Sequence, residues 1–270
     1  MKKTALAAAA AFAVASGAMT IQASAADLDF MPPPPAPFQP VWSGFYVGGH
    51  VGYGETQFDF RQDVDVFDAT GAGSFNTFRS SVSPNGLVGG VQGGYNWQIR
   101  SLVLGIEGDV SFTDWGQSTS VFDSDFDTVA GLAGNDYAFG TSSGDVDLLA
   151  SVRGRVGWAM GNVLLYGTGG VAWADAEARA YMEAADATTV TEWSGKKSLN
   201  DLGLVAGGGF AWVVIPQTFS VGVEGLYYFF KDKKTLIDDT INFNGGQMDV
   251  RATAELHDTW VVRARADFHF

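Results

Sequence analysis

The feature that most constrains this chain is a period-two alternation over its last residues, from Leu256 to Phe270. One face carries Leu256, Trp260, Val262, Ala264, Ala266, Phe268 and Phe270, with Asp258 as the exception. The other face carries His257, Thr259, Val261, Arg263, Arg265, Asp267 and His269. Such alternation predicts a strand with one apolar and one polar face. The segment exceeds the usual strand of about 5–6 residues and reaches the roughly 9–11 residues of a tilted membrane-spanning strand.

The N-terminal residues predict export. Lys2 and Lys3 precede a small, apolar run from Thr4 to Ala18, and Ala23-Ser24-Ala25 fits the small-residue pattern of a cleavage site. These features predict a secretory signal peptide over residues 1–25, in preference to a retained membrane helix.

A proline-rich segment follows the predicted signal peptide. Residues 26–41 include the run Met31–Pro37, which predicts an extended polyproline II conformation. We interpret this segment as a periplasmic linker, with a partner-binding segment as the alternative. Residues 42–270 then remain for one large β-domain.

Composition excludes several functional classes. The chain has 16 Lys and Arg against 30 Asp and Glu, a net charge of −14, so we expect no nucleic-acid partner. It has no cysteine, which excludes disulfides and thiolate chemistry. No apolar run after the signal peptide approaches the roughly 18 residues of a membrane helix, so membrane crossing would require a closed barrel of strands.

Alternating segments predict eight strands joined by connections of two kinds. The predicted strands are residues 42–54, 85–97, 102–113, 145–159, 163–176, 201–215, 218–230 and 256–270. Short turns at 98–101, 160–162 and 216–217 alternate with polar loops at 59–83, 114–144, 177–200 and 231–252. This pattern predicts an all-β fold, an eight-stranded antiparallel transmembrane β-barrel with short periplasmic turns and long extracellular loops. The register of the fifth strand stays open, because both of its faces are apolar or glycine.

Side-chain volume indicates which face points outward. A soluble barrel of the lipocalin type would place the bulky apolar face inside. An eight-stranded barrel, however, has an interior only wide enough to be filled by side chains. The polar faces of the first, second and sixth predicted strands are dominated by glycine and other small residues, which suit a crowded lumen. Aromatic residues fall into two bands near the strand ends, as in the girdles of membrane barrels.

With the bulky face outside, the lumen receives an equal number of acids and arginines. These residues are Glu107, Asp109, Arg153, Arg155, Glu224, Arg263, Arg265 and Asp267. Because a buried charge is costly unless paired, we interpret the set as a network of ion pairs that plugs the barrel. The alternative is an ion-selective constriction.

Histidines also fall on the predicted inward face. They are His50, His257 and His269, of which His257 lies near the loop rim, where some small outer-membrane barrels carry a catalytic histidine. The adjacent Asp258 points to the opposite face and cannot easily orient the ring of His257. We therefore expect no catalytic residue, no cofactor and no enzymatic activity.

One acidic loop segment partly fits a calcium-binding pattern. Asp123-Ser-Asp-Phe-Asp127 matches the first half of a calcium loop, but Thr128 replaces the expected glycine and Gly134 the expected glutamate. We interpret it as a solvated loop and expect no dedicated metal site. Divalent cations that bridge the acidic loops to lipopolysaccharide phosphates remain a hypothesis.

Several segments together resemble a known family. Trp42–Gly54, Asn85–Trp97, Val103–Asp109 and the C-terminal Phe270 are similar to segments of the small outer-membrane "porin family" barrels of alphaproteobacteria, often called outer-membrane immunogenic proteins. The resemblance implies a surface-exposed outer-membrane protein with a fold like the barrel of outer-membrane protein A. It also implies that Phe268 and Phe270 form a signal read by the barrel-assembly machinery.

We expect an outer-membrane barrel that supports envelope integrity, with outer-membrane lipid and lipopolysaccharide as its partners. Two alternatives remain: a narrow diffusion channel, and an adhesive or immune-facing surface carried by the loops. The balanced charges in the lumen favour the structural role, because a channel would be expected to show a ring of one sign.

Overall fold

The computed structural model describes residues 41–68, 71, 73–123, 137–185, 190–230, 232–243 and 246–270. The predicted signal peptide and nearly all of the predicted linker lie outside these residues. The described residues form ten strands: β1 (Gly44–Asp68), β2 (Gly73–Val82), β3 (Asn85–Ile99), β4 (Leu102–Asp123), β5 (Tyr137–Met160), β6 (Val163–Ala185), β7 (Val190–Ile215), β8 (Phe219–Phe229), β9 (Asp232–Phe243) and β10 (Gly246–His269). In this part of the chain no helix is long and apolar enough to span a membrane.

Eight of the strands close into a ring. The order is β1-β3-β4-β5-β6-β7-β8-β10, and β10 returns to β1 in an antiparallel register that runs from Tyr46–His269 to Asp68–Gly246. The two remaining strands, β2 and β9, pair with the distal parts of β1 and β10. The predicted eight-stranded antiparallel barrel is therefore confirmed.

The short turns lie at the predicted places. Arg100, Gly161 and Gln217 occupy the turns between β3 and β4, β5 and β6, and β7 and β8. Each has a positive φ, of 57°, 62° and 57° respectively. This left-handed conformation lets antiparallel strands reverse direction within two or three residues.

The segments predicted as polar loops are mostly strand. Residues 59–68 continue β1, 114–123 continue β4, 177–185 continue β6, and 190–200 begin β7. Their polar residues alternate with buried apolar ones such as Phe58, Phe60 and Val64. The prediction of loops is wrong here because the polar face of these segments points outward. In the part of the ring between the two aromatic bands, called the membrane zone below, the polar face points inward.

Two β-bulges account for the reversal on β5 and β10. On β5, Val146 pairs with Ala176 and Leu148 with Asp175, which leaves Asp147 as an extra residue. On β10, the pairing shifts between Thr259 and Leu256 relative to β1. A bulge of one residue moves every side chain beyond it to the opposite face.

The bulges correct three predicted orientations. Val146 and Leu256 lie on the apolar faces of the predicted strands 145–159 and 256–270, for which an outward orientation is predicted, yet both are buried inside the barrel, at 2% and 1% exposure. His257, predicted to face the lumen, points outward, and its Nε2 lies 3.0 Å from Asp59 Oδ2.

The membrane zone has bulky side chains outside, as predicted from side-chain volume. Outward aromatic residues include Phe45, Trp97, Phe112, Trp158, Trp212, Tyr227, Trp260 and Phe268. The register of β6, left open by the sequence, places Val163 and Leu165 outside and Leu164 and Tyr166 inside.

Beyond the membrane zone the strands form an extension with its own apolar interior. One side consists of β2-β1-β10-β9 and the other of the distal parts of β4, β5, β6 and β7. Val64, Met182, Trp193, Ile237 and Val250 pack between them. The polar outer faces of these strands are thus supported by a folded core.

Candidate functional site: the charged layer inside the barrel

The eight predicted lumen charges lie on four strands. Glu107 and Asp109 come from β4, Arg153 and Arg155 from β5, Glu224 from β8, and Arg263, Arg265 and Asp267 from β10. Each is buried, with at most 5% of its surface exposed. Glu107 stands opposite Arg153 in the β4–β5 register, and Glu224 opposite Arg263 in the β8–β10 register. The structure brings all eight into one layer.

Four arginines lie within ion-pair distance of Glu107, and three of them are at hydrogen-bond distance. Its Oε1 lies 2.5 Å from Arg153 Nη2, and its Oε2 lies 2.5 Å from Arg155 Nη2 and 2.6 Å from Arg265 Nη2. Tyr46 also donates its hydroxyl to Glu107 Oε2 at 2.6 Å. Such convergence offsets the cost of removing a carboxylate from water.

The other acids are paired in the same way. Asp109 accepts from Arg153 at 2.8 Å and from Arg263 at 3.1 Å. Glu224 Oε2 lies 2.7 Å from Arg263 Nη2. Arg265 Nε donates to Asp267 at 2.9 Å. Each acid of the layer therefore has at least one arginine within ion-pair distance.

Neutral side chains that were not among the predicted lumen residues complete the layer. Ser151 donates to Asp109 at 2.6 Å and Gln92 to Asp267 at 2.7 Å. The guanidinium of Arg155 lies 4.2 Å from the ring centroid of Tyr166, a cation–π geometry. The sequence does contain a signal for these residues, because each lies on the inward face of a strand close to strands that contribute charges to the layer.

His50 lies beside this layer and forms a serine–histidine pair. Its Nδ1 donates to Gln92 Oε1 at 2.6 Å, which leaves Nε2 as the acceptor for Ser111 Oγ at 2.9 Å. Ser111 is only 2% exposed and His50 only 7%, so a substrate has no direct access to the pair. The geometry accounts for two buried polar residues as a hydrogen-bonded unit.

The histidines do not form a common site. His269 Nε2 lies 2.8 Å from Ser220 Oγ, on the periplasmic side of the charged layer. His257 is outside the barrel with Asp59. Among the residues that the structure describes, no group of three or more His, Asp or Glu side chains could hold a metal ion. The calcium-like segment 123–127 lies, beyond Asp123, outside the described residues.

An apolar layer closes the barrel on the periplasmic side of the charges. It consists of Trp42, Val103, Ala159, Leu164, Tyr166, Ala211 and Val213. Trp42 is 2% exposed. Its backbone N–H donates to Gln98 Oε1 at 3.0 Å, and its indole Nε1 donates to the Gly161 carbonyl at 3.3 Å. These bonds hold the indole across the lumen.

A second apolar layer closes the other side. Its members include Phe58, Trp115, Leu149, Leu199, Tyr228 and Leu256. Trp115 donates its indole N–H to the Leu87 carbonyl at 3.0 Å. The charged layer is thus enclosed between two packed apolar layers.

The two residues proposed as an assembly signal lie at the periplasmic end. Phe268 and Phe270 are 55% and 80% exposed. The backbone N–H of Phe270 donates to the Phe45 carbonyl at 2.8 Å.

Comparisons with known proteins agree with the fold. Residues 4–267 match the outer membrane protein beta-barrel domain family. The chain is 32% identical over 203 residues to the 31 kDa outer-membrane immunogenic protein of Brucella melitensis, which covers 73% of this chain and 74% of that protein. It is also 32% identical over 144 residues to a 22 kDa outer membrane protein of Rhizobium leguminosarum, over 52% of this chain and 48% of that protein.

Solved structures give weaker matches. The attachment invasion locus protein Ail of Yersinia pestis is 13% identical, with a TM-score of 0.28, over 84% of this chain and 99% of that one. The outer membrane protease OmpT of Escherichia coli is 9% identical, with a TM-score of 0.35, over 83% of this chain and 97% of that one.

Proposed function

This chain belongs to the outer membrane protein beta-barrel domain family, and from that premise we propose that it is a closed structural barrel that supports envelope integrity. The family, the eight-stranded ring and the named relatives make it a protein of the Gram-negative outer membrane. The observation that carries the proposal is the charged layer enclosed between two apolar layers.

The burial of the charged layer argues against conduction. The side chains of Arg153 and Glu224 are 0% exposed and those of Glu107 and Arg263 are 1% exposed. A conducting constriction needs water or ions in contact with such groups, and selectivity commonly comes from a ring of one sign. Here each acid is paired with arginine, so an ion that entered would have to break several buried ion pairs.

Conductance of the refolded mature chain in a planar bilayer tests the proposal. Folding is verified beforehand by the heat-dependent shift of the barrel on a denaturing gel. A folded protein that gives no steps supports the closed barrel. Reproducible steps, with an ion preference that changes in the Arg153→Gln/Arg155→Gln variant, would make the protein a channel and overturn the proposal.

We make two further proposals for this outer-membrane barrel. We propose that the barrel has no enzymatic activity, which is supported by the burial of its Ser111–His50 pair. We also propose that Phe268 and Phe270 are read by the barrel-assembly machinery, a role supported by the exposure of both side chains beside the Phe45 end of β1. Substitution of Phe270 by serine is expected to reduce the folded fraction in cells and to leave refolding in detergent nearly unchanged.

The folded extension favours a second candidate function, as a surface that faces the cell's surroundings. The relatives from Brucella are named immunogenic. The core of Val64, Trp193 and Val250 holds the outer faces in a fixed conformation. Antibodies raised against folded protein that lose binding after boiling would support a conformational surface of this kind.

A further inference from the structure

A polar groove runs across the outer face of the extension, just beyond the membrane zone. It has a volume of about 450 Å³ and is lined by Asp59, Phe60, Arg61, Arg79, Ser80, Ser81, Lys233, Thr253 and Glu255. The lining comes from four adjacent strands in the order β2-β1-β10-β9. In a chain with a net charge of −14, three cations in one groove are unusual.

The register places two of these cations opposite each other. Arg61 of β1 pairs directly with Arg79 of β2, and like charges opposite each other on adjacent strands destabilise a sheet. Arg61 is compensated by Asp63, whose carboxylate lies 2.9 Å from its Nε. Arg79 has no ion pair with any residue that the structure describes.

The opposite wall of the groove also has an unpaired cation. Lys233 of β9 pairs in register with Glu255 of β10, but the structure contains no ion pair between them. The acids that face the groove are Glu255 and Asp59, whose Oδ2 lies 3.0 Å from His257 Nε2. Against these two acids the groove carries three cations, and two of them, Arg79 and Lys233, lie on its two sides without an ion pair among the described residues.

The separation of the two cations indicates the size of the ligand. Three strand-to-strand steps separate β2 from β9, and each step is about 4.8 Å, so the two backbones stand roughly 14 Å apart. Long Lys and Arg side chains shorten this gap without closing it. A ligand that uses both cations must carry at least two anionic groups, which a single phosphate ion lacks.

The distance of the groove from the membrane zone indicates where such a ligand would come from. Tyr53 is the last exposed outward aromatic of β1, and Arg61 follows eight residues later. At about 3.3 Å per residue and a tilt of roughly 40°, Arg61 lies about 20 Å beyond this aromatic. Glu255 and Lys233 lie closer to the outward Trp260. This zone contains the phosphates and acidic core sugars that lipopolysaccharide presents outside the hydrocarbon.

We propose that the groove between Arg79 and Lys233 binds the anionic inner region of lipopolysaccharide, through one acidic group at each cation. The proposal rests on the outer-membrane placement in the proposed function, and it is independent of whether the lumen is closed. Ser81, on the same strand as Arg79, adds a hydroxyl group to the lining of the groove beside that cation. Binding would relieve the repulsion between Arg61 and Arg79 and would anchor the extension to the outer leaflet.

Titration of the full, folded protein with fluorescent lipopolysaccharide that contains only lipid A and inner core tests the proposal. The variant Arg79→Gln/Lys233→Gln is compared with the control Arg179→Gln/Lys196→Gln, which removes the same charge from the cations that pair with Glu177 on the other sheet. We expect the first variant to bind about tenfold more weakly and the control to bind within about twofold of the natural chain. Arg79→Gln alone is expected to give an intermediate loss.

Three outcomes would overturn the proposal. Equal binding by the natural chain and the Arg79→Gln/Lys233→Gln variant would exclude the groove. Equal weakening in both double variants would show a general charge effect. Displacement by inorganic phosphate as effective as displacement by lipid A would assign the groove to another anion. The gel shift of each variant verifies folding, and conductance of the natural chain separately tests the closed lumen.

Discussion

Arg263 of β10 lies directly opposite Glu224 of β8, and its Nε donates to Glu224 Oε2 at 2.9 Å. The same guanidinium reaches Asp109 of β4 at 3.1 Å. One arginine thus connects strands from distant parts of the ring. This connection depends on the register of three strands, so the charged layer and the closure of the barrel require each other.

Replacement of Arg263 by alanine is expected to destabilise the barrel by about 3–5 kcal/mol, because it leaves buried carboxylates without a partner. Lys233→Ala is the matched control: Lys233 is exposed and has no ion pair among the described residues, so its loss is expected to cost no more than about 0.5 kcal/mol. Urea unfolding in lipid vesicles, followed by the gel shift, measures both changes. Similar losses in the two variants would contradict the assignment of Arg263 to the lumen.

Adjacent glycines on β3 give a second matched pair. A Cβ added at Gly90 would overlap the Val110 carbonyl oxygen and would lie 2.8 Å from His50 Nε2, whereas a Cβ at Gly89 would meet nothing closer than 3.7 Å. Gly90→Ala is therefore expected to destabilise the barrel by about 1–3 kcal/mol, as overpacked interiors do. Gly89→Ala, on the lipid face, is expected to be nearly neutral. The same unfolding measurement compares them, and a larger loss at Gly89 would reverse the inward and outward faces of β3.

The eight strands of the ring, its short turns and its outward face could be predicted because each depends on local pattern, whereas β2 and β9 lie in segments predicted as loops. The alternation around Val91 and Ile106 indicates which side chains face lipid. The small residues around Gly90 indicate that the interior is crowded. The inward position of the eight charges could be predicted from the same alternation of side chains along each strand. Their individual ion pairs could not be predicted, because the register between non-adjacent strands such as β4 and β10 is a property of the closed ring.

The strand ends could not be predicted, because the environment of each face changes along the strand. Asp59 and Arg61 look like loop residues, yet they are the solvent face of a strand whose other face buries Phe58 and Phe60. A bulge at Asp147 adds one residue without a distinctive sequence signal. The orientation of His257 was wrong for the same reason: simple alternation was carried through a bulge on β10.

Single cysteines can test these orientations, because the chain has no cysteine of its own. Cysteine at position 257 is expected to react quickly with a charged maleimide added to folded protein, and cysteine at 256 to remain unreactive, since Leu256 is 1% exposed. The pair Arg61→Cys and Phe60→Cys tests the extension in the same way. Fast labelling at both 60 and 61 would indicate a solvated loop in place of the continued strand.

Tyr181 on the extension provides a pH-dependent prediction. Its hydroxyl donates to Glu183 Oε2 at 2.9 Å, and this hydrogen bond to a carboxylate raises the pKa of Tyr181 from 10.0 to about 12. Because the folded chain holds the proton more tightly than the unfolded chain, the contribution to stability is complete below about pH 10 and is lost as the pH rises towards 12.

Ultraviolet titration of tyrosinate measures this shift, with Tyr181→Phe as the reference that removes one ionising group from the curve. The difference between the two curves is expected to rise near pH 12 in the natural chain. Glu183→Gln removes the charged acceptor and is expected to move that rise towards pH 10, since a neutral amide stabilises the protonated phenol less than a carboxylate does. A rise near pH 10 in the natural chain itself would mean that Tyr181 and Glu183 are not held together on β6, and that the outer face of the extension is not ordered at this position.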